Sequence, residues 1–158
     1  MSGRAEALAE RFEQVNNELI AKVEGCSDQQ WWATCQGEGW SVGVTAHHVA
    51  GGNRAIAGFV QTIANGEPMP PITMEQIDQM NAQHAQEFAN CTKAETLELL
   101  RSSGEAAAGM VRGLNDEQLD RSQPLTVMGG QQVSAQQFIE MVLIGHVQGH
   151  LQSINAAA

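Results

Sequence analysis

The sequence predicts an all-α fold, a bundle of four long helices with short extra helical segments. Apolar residues recur at three- and four-residue steps in several long stretches, and no stretch of comparable length alternates with period two. Ala, Gln, Glu, Leu and Met recur, Tyr is absent and aromatics make up only 4% of the chain, a mix that favours helices over sheets. A length of 158 residues predicts one domain, 1–158, able to bury about two thirds of the surface its unfolded form exposes.

Over 4–24, Leu8, Phe12, Val15, Leu19 and Val23 form an apolar stripe, and Gly25 ends this first helix. Residues 26–40 carry Trp31, Trp32 and Trp40 among Gly37 and Gly39, with Asp28 placed to cap a short helical turn. The rings there are expected to close one end of the core. Ser41 is the expected cap of a helix over 41–64 running through Val44, His48, Ala55, Ile56, Phe59, Val60 and Ile63. NGEPMPP, residues 65–71, breaks the chain. Thr73 with Gln76 has capping-box spacing and opens a more polar helix over 73–90; Thr92 with Glu95 repeats the device over 92–114. Residues 115–133, with Pro124 and the Gly129–Gly130 pair, read as a long loop holding at most a short irregular or extended excursion. A third box, Ser134 with Gln137, opens the last helix, 134–156.

Charge and cysteine usage exclude several function classes. Eighteen acidic against eight basic side chains leave a net charge of −10, which repels a phosphate backbone, so neither nucleic acid nor an anionic membrane is an expected partner. Cys26, Cys35 and Cys91 are odd in number and lack CxxC spacing, which points to neither a disulfide framework nor a thiolate zinc site. The expected location is the cytoplasm: the opening MSGRAEALAERFEQ is charged and helical in pattern, and no apolar run approaches the roughly 20 residues that span a bilayer.

GHVQGH, residues 145–150, places His146 and His150 four positions apart on or beside the apolar stripe of Phe138, Ile139, Val142, Leu143, Val147, Leu151 and Ile154. Four helical residues turn through about 40° beyond a full circle and rise roughly 6 Å, so both imidazoles can point at one atom. H-x-x-x-H alone is a weak signal, because paired histidines also arise as hydrogen-bonded core residues. A third candidate lies on the second long helix, where Val44, His48, Gly52, Ala55 and Phe59 share a face. Its neighbour His47 points about 100° away; the facing favours His48, with His47 as the alternative. Gly51 and Gly52, one turn on, leave room beside the imidazole. Three imidazoles from two helices leave coordination positions open, an arrangement more often catalytic than structural.

The order Trp40, Ser41, Val42, His48, then His146 and His150, spread over nearly the whole chain, resembles the DinB/YfiT-like superfamily of metalloenzymes. The resemblance implies a DinB-type four-helix bundle, a divalent metal held by His48, His146 and His150 with water completing its shell, and a homodimer. It also implies kinship with thiol-dependent transferases that use mycothiol or bacillithiol, and with mycothiol-dependent maleylpyruvate isomerase. Val44 departs from the acidic residue that such families often carry three positions after the Ser, so this helix start lacks a full capping box.

The expected function is therefore that of a metal-dependent enzyme acting on a small molecule, a thiol-dependent S-transferase or a hydrolase. Zinc or nickel leads the metals, and a low-molecular-weight thiol is a possible second cofactor. The alternative is a noncatalytic module, a metal-binding or metal-free dimeric helical protein. No general base is assigned: Glu140 lies on another face and reads as a solvated charge. His84 is expected at the surface, Arg54 in solvent or an ion pair, and Met74, Met80, Met110, Met128 and Met141 in packing, as are the three cysteines.

Overall fold

Side-chain caps set where the helices begin. The computed structural model describes residues 3–158, as helices α1 (Gly3–Glu24), α2 (Asp28–Trp31), α3 (Val42–Ala64), α4 (Met74–Glu87), α5 (Lys93–Arg112), α6 (Asp116–Asp120), α7 (Ala135–Phe138) and α8 (Gly145–Ala157). Thr73, Thr92 and Ser134 each accept from the backbone N–H three residues on, while Gln76, Glu95 and Gln137 reach back to the cap N–H, so all three sequence-predicted boxes form. Ser41 caps α3 through the Val44 N–H, and Val44 returns no bond. Two more boxes escaped the sequence reading: Ser27, not Asp28, caps α2 with Gln30, and Asn115 with Gln118 opens α6.

The bundle is formed by α1, α3, α5 and the last helix, with α5 packed against both α1 and α3. Every residue of the predicted α1 stripe is buried. On α3 the core face is rotated from the expected one: Val42, Ala46, Val49, Asn53, Ala57 and Val60 are buried, His48, Gly52, Ile56 and Phe59 are half-buried on the flank, and Ala55 is exposed. The sequence stripe mixed two adjacent faces, because this helix buries one against the bundle and uses the next to line a cavity. Within the core, Asn53 donates to Asn16 (3.1 Å) and Ser103 (3.3 Å), and Asn16 donates to the Leu100 carbonyl (3.2 Å), joining α1, α3 and α5 through a buried polar network. Trp31 is buried, donating to the Cys91 carbonyl at 3.2 Å and lying flat against Gly43, where a Cβ would stand 2.5 Å from the ring. Trp32 points out and is 53% exposed, so only one ring of the pair closes the core.

Two regions depart from the sequence expectation. Residues 122–134 form an antiparallel hairpin, β1 (Ser122–Leu125) with β2 (Gln131–Ser134), in register Ser122↔Ser134 to Leu125↔Gln131. Its turn needs Gly129 and Gly130, both at positive φ (66° and 82°), and Leu125 and Val133 anchor it in the core. Four-residue strands are too short to show period two. The last helix is also not uniform: α7 and α8 are joined by a π-helical stretch, Ile139–Ile144, which widens the turn just before His146. Ile144 is buried as a result, and Val142 turns to the cavity wall. Among the described residues no helix is long and apolar enough to cross a membrane.

Candidate metal centre

His48 comes from the middle of α3, and His146 and His150 from successive turns of α8. One ring nitrogen from each lies within 4.8 Å of the other two. The Nε2 atoms of His48 and His146 are 2.9 Å apart, one donating to the other, and the His150 ring centroid is 5.0 Å from His48 and 4.6 Å from His146. A tetrahedral site with N–metal bonds of about 2.1 Å needs nitrogens roughly 3.4 Å apart, well within the spread seen here. Burial, and then the neighbouring imidazoles, push the His48 pKa down to about 3; burial and His150 push His146 down to about 4. Both are thus held neutral, the form that offers a lone pair to a cation. Gly52 makes room for His146: a Cβ there would lie 3.0 Å from the ring Cε1, whereas a Cβ on the exposed Gly51 would meet nothing within 4 Å, so it is Gly52 alone that makes the space, and for His146 rather than His48.

His150 is oriented by a residue that sequence reasoning passed over. Glu38 Oε2 accepts from His150 Nδ1 at 2.6 Å, which leaves the His150 Nε2 lone pair free. The Glu38 side chain is only 10% exposed, and its other oxygen, Oε1, is buried without a protein hydrogen-bond partner. A tight loop delivers it: Thr34 bridges Ser41, the Cys35 N–H donates to the Trp40 carbonyl at 2.7 Å, and Gly39 takes a left-handed φ of 75°. Because Glu38 lies in an irregular loop, no periodicity pointed to it; its one signal was adjacency to the Trp40–Ser41 helix start. Trp40 sets its edge against His48, with ring centroids 5.1 Å apart.

All five histidines of the chain gather here. His47 faces away from the triad, stacking on Phe88 at 4.1 Å and sharing a 2.8 Å hydrogen bond with His84. His84 is therefore half-buried rather than exposed, 5.7 Å from the His48 ring, because α4 lays Ile77, Asn81, His84 and Phe88 against the bundle. Burial lowers the pKa of both. Elsewhere, Glu140 is half-buried and pairs with Arg11 at 2.9 Å instead of standing alone in solvent. Arg54 is exposed, the cysteines are free and buried, and Met74, Met80 and Met141 are more than half exposed rather than packed.

The triad and Glu38 form the floor of a cavity of about 500 Å³. Its walls come from α3, the 65–73 segment, α4, the hairpin and the π-helical turn, and Gln123 pins the hairpin to the 65–73 segment by accepting from the Met69 N–H and donating to the Glu67 carbonyl.

Comparison with known proteins agrees with this architecture. The fold is similar to that of YfiT from Bacillus subtilis, described as "a probable metal-dependent hydrolase with an unusual four-helix bundle topology", with a TM-score of 0.76 at 16% identity over 99% of this chain and 87% of that one. At that identity the likeness is one of fold, and it meets the expectation of a DinB/YfiT-type bundle. No curated protein matches the sequence significantly. Residues 12–147 match the family described as the mycothiol maleylpyruvate isomerase N-terminal domain, and with most of its length so matched the chain belongs to that family.

Proposed function

We propose that the protein is a metal-dependent enzyme acting on a small molecule, with a divalent cation, zinc or nickel, held by His48, His146 and His150, and with hydrolysis as its reaction class. The observation that carries this reading is the convergence of three imidazole nitrogens, two on rings kept neutral by burial, at the floor of a ligand-sized cavity. The donor set fits: all-nitrogen ligation suits zinc and nickel, and the buried, unpartnered Oε1 of Glu38 stands beside it.

A cation bound there supplies Lewis acidity toward a carbonyl oxygen or a water. The chain's own residues do the rest. Glu38 Oε2 holds His150 in the tautomer that presents Nε2, and Gly52 lets His146 sit against α3. Glu38 Oε1, buried with no protein partner, leaves the carboxylate able to accept one more hydrogen bond behind His150. Trp40 and the aliphatic walls exclude bulk water, which strengthens each of these interactions.

Thiol-dependent transfer or isomerisation is the second reading, and family membership favours it. There the three-histidine site, with its cation bound, would favour the thiolate form of a low-molecular-weight thiol cofactor. The same superfamily resemblance extends the reading to a homodimer, which sedimentation analysis tests.

Elemental analysis of purified protein beside His48→Ala, His146→Ala and His150→Ala tests the site. About one ion per chain, lost in each variant, is expected. Absence of metal after reconstitution with zinc and with nickel would overturn the reading in favour of a noncatalytic bundle. His47→Ala should keep its ion, since that ring faces Phe88.

A further inference from the structure

The walls above the triad differ sharply from its floor. Ile56, Phe59, Met69, Ile77, Met80 and Met128 form most of the upper surface, with Asn81 and Thr126 as the polar exceptions. No Lys or Arg lines the cavity among the described residues, and Glu38 is its one acid. Met80 (61%) and Val127 (37%) are exposed at its rim, so the apolar character continues to the mouth. A ligand bearing several anionic groups therefore meets no counter-charge beyond the floor, and its net charge matches the sign of both Glu38 and the whole chain at −10. Maleylpyruvate, named in the family's description, carries two carboxylates. If one reached the floor, the other would be desolvated against aliphatic side chains, which is costly without a partner.

We propose that the cavity takes an uncharged, largely apolar small molecule whose single polar group, such as an ester, amide or thioester carbonyl, is directed to the histidine floor. The apolar body fills the space between α3, α4 and the hairpin. This assignment of substrate class rests on the metal-site reading for the direction of the polar group, and on the cavity walls alone for the neutrality of the body. The walls contributed by α4 and the 65–73 segment bury no residue completely, so these two are the walls held least tightly by the bundle.

Two fluorescent probes that differ by one anionic group test the walls without metal. N-phenyl-1-naphthylamine is neutral, and 8-anilino-1-naphthalenesulfonate adds a sulfonate to the same rings. The neutral probe is expected to bind at least tenfold more tightly, and Ile77→Glu, on the least buried helix, to weaken it at least tenfold with unchanged circular dichroism. Equal or tighter binding of the sulfonate, or indifference to Ile77→Glu, would overturn the proposal. A second arm uses zinc-loaded protein with hydroxamic acids followed by calorimetry. Octanohydroxamic acid should bind more than tenfold tighter than acetohydroxamic acid, given roughly fourfold per buried methylene. A terminal carboxylate on the longer chain should cancel that gain, and its retention would overturn the proposal. If the hydroxamates ignore zinc while the neutral probe keeps its preference, the metal site fails and the apolar, uncharged specificity of the cavity stands.

Discussion

Replacing Glu38 by Gln separates orientation of the site from its assembly. The 2.6 Å contact to His150 Nδ1 is a charge-assisted hydrogen bond, worth about 1.5–3 kcal/mol, whereas the amide oxygen of Gln offers a neutral one worth about 0.5–1.5 kcal/mol. The difference, about 1–1.5 kcal/mol, is the preference lost for the tautomer that presents Nε2. It corresponds to roughly a tenfold weaker hold on the metal, at the lower edge of the 10- to 100-fold typical for such outer carboxylates. Glu38→Ala removes the acceptor entirely and should approach the upper edge. Competition against a chromophoric zinc chelator reads the dissociation constant directly, and urea unfolding of the metal-free proteins checks the fold. In the Glu38→Gln variant the place of Oε1 stays without a protein partner, and the charge-assisted bond to His150 becomes a neutral one, so a loss of about 1 kcal/mol in metal-free stability is also expected. Wild-type zinc affinity in both variants, alongside loss of binding in His150→Ala, would refute the assigned role of Glu38.

Gly52→Ala should move two quantities in opposite directions. The added methyl, 3.0 Å from His146 Cε1, displaces the ring and weakens zinc binding roughly tenfold, while helix propensity favours Ala by about 1 kcal/mol in the metal-free melt; unchanged affinity would count against the placement of His146. Gly43→Ala drives a Cβ to 2.5 Å from the Trp31 ring and should cost about 1–3 kcal/mol in chemical denaturation, with a shift in Trp fluorescence as Trp31 gives way. The metal-free protein should lose stability as pH falls below about 6.5, because His48 and His146 bind protons near 6.5 when unfolded but only near 3 and 4 when folded, so acid favours the unfolded chain. At pH 5 this amounts to about 2 kcal/mol per histidine. Urea midpoints at pH 7 and pH 5 measure it, and the double variant His48→Ala, His146→Ala should flatten the dependence.

Much of this protein was determined by local chemistry and was therefore readable along the chain. The three capping boxes predicted from Thr73, Thr92 and Ser134 form because each depends only on two side chains three residues apart. The α1 stripe is buried as its period requires, and the four-residue spacing of His146 and His150 puts their rings side by side through helix geometry alone. What tertiary structure decided depends on which neighbours an element meets. Whether a half-apolar face of α3 packed or lined a cavity was set by the position of α4 and the hairpin, so Ala55 was misplaced and Phe59 became wall rather than core. His84 belongs to a polar helix with no buried residue and enters the histidine cluster only because α4 folds over α3. Glu38 is the clearest case. Its loop has no period, and its partner His150 lies 112 positions away, so that carboxylate acquired its meaning only when the bundle closed and brought a buried acceptor to an imidazole that required one.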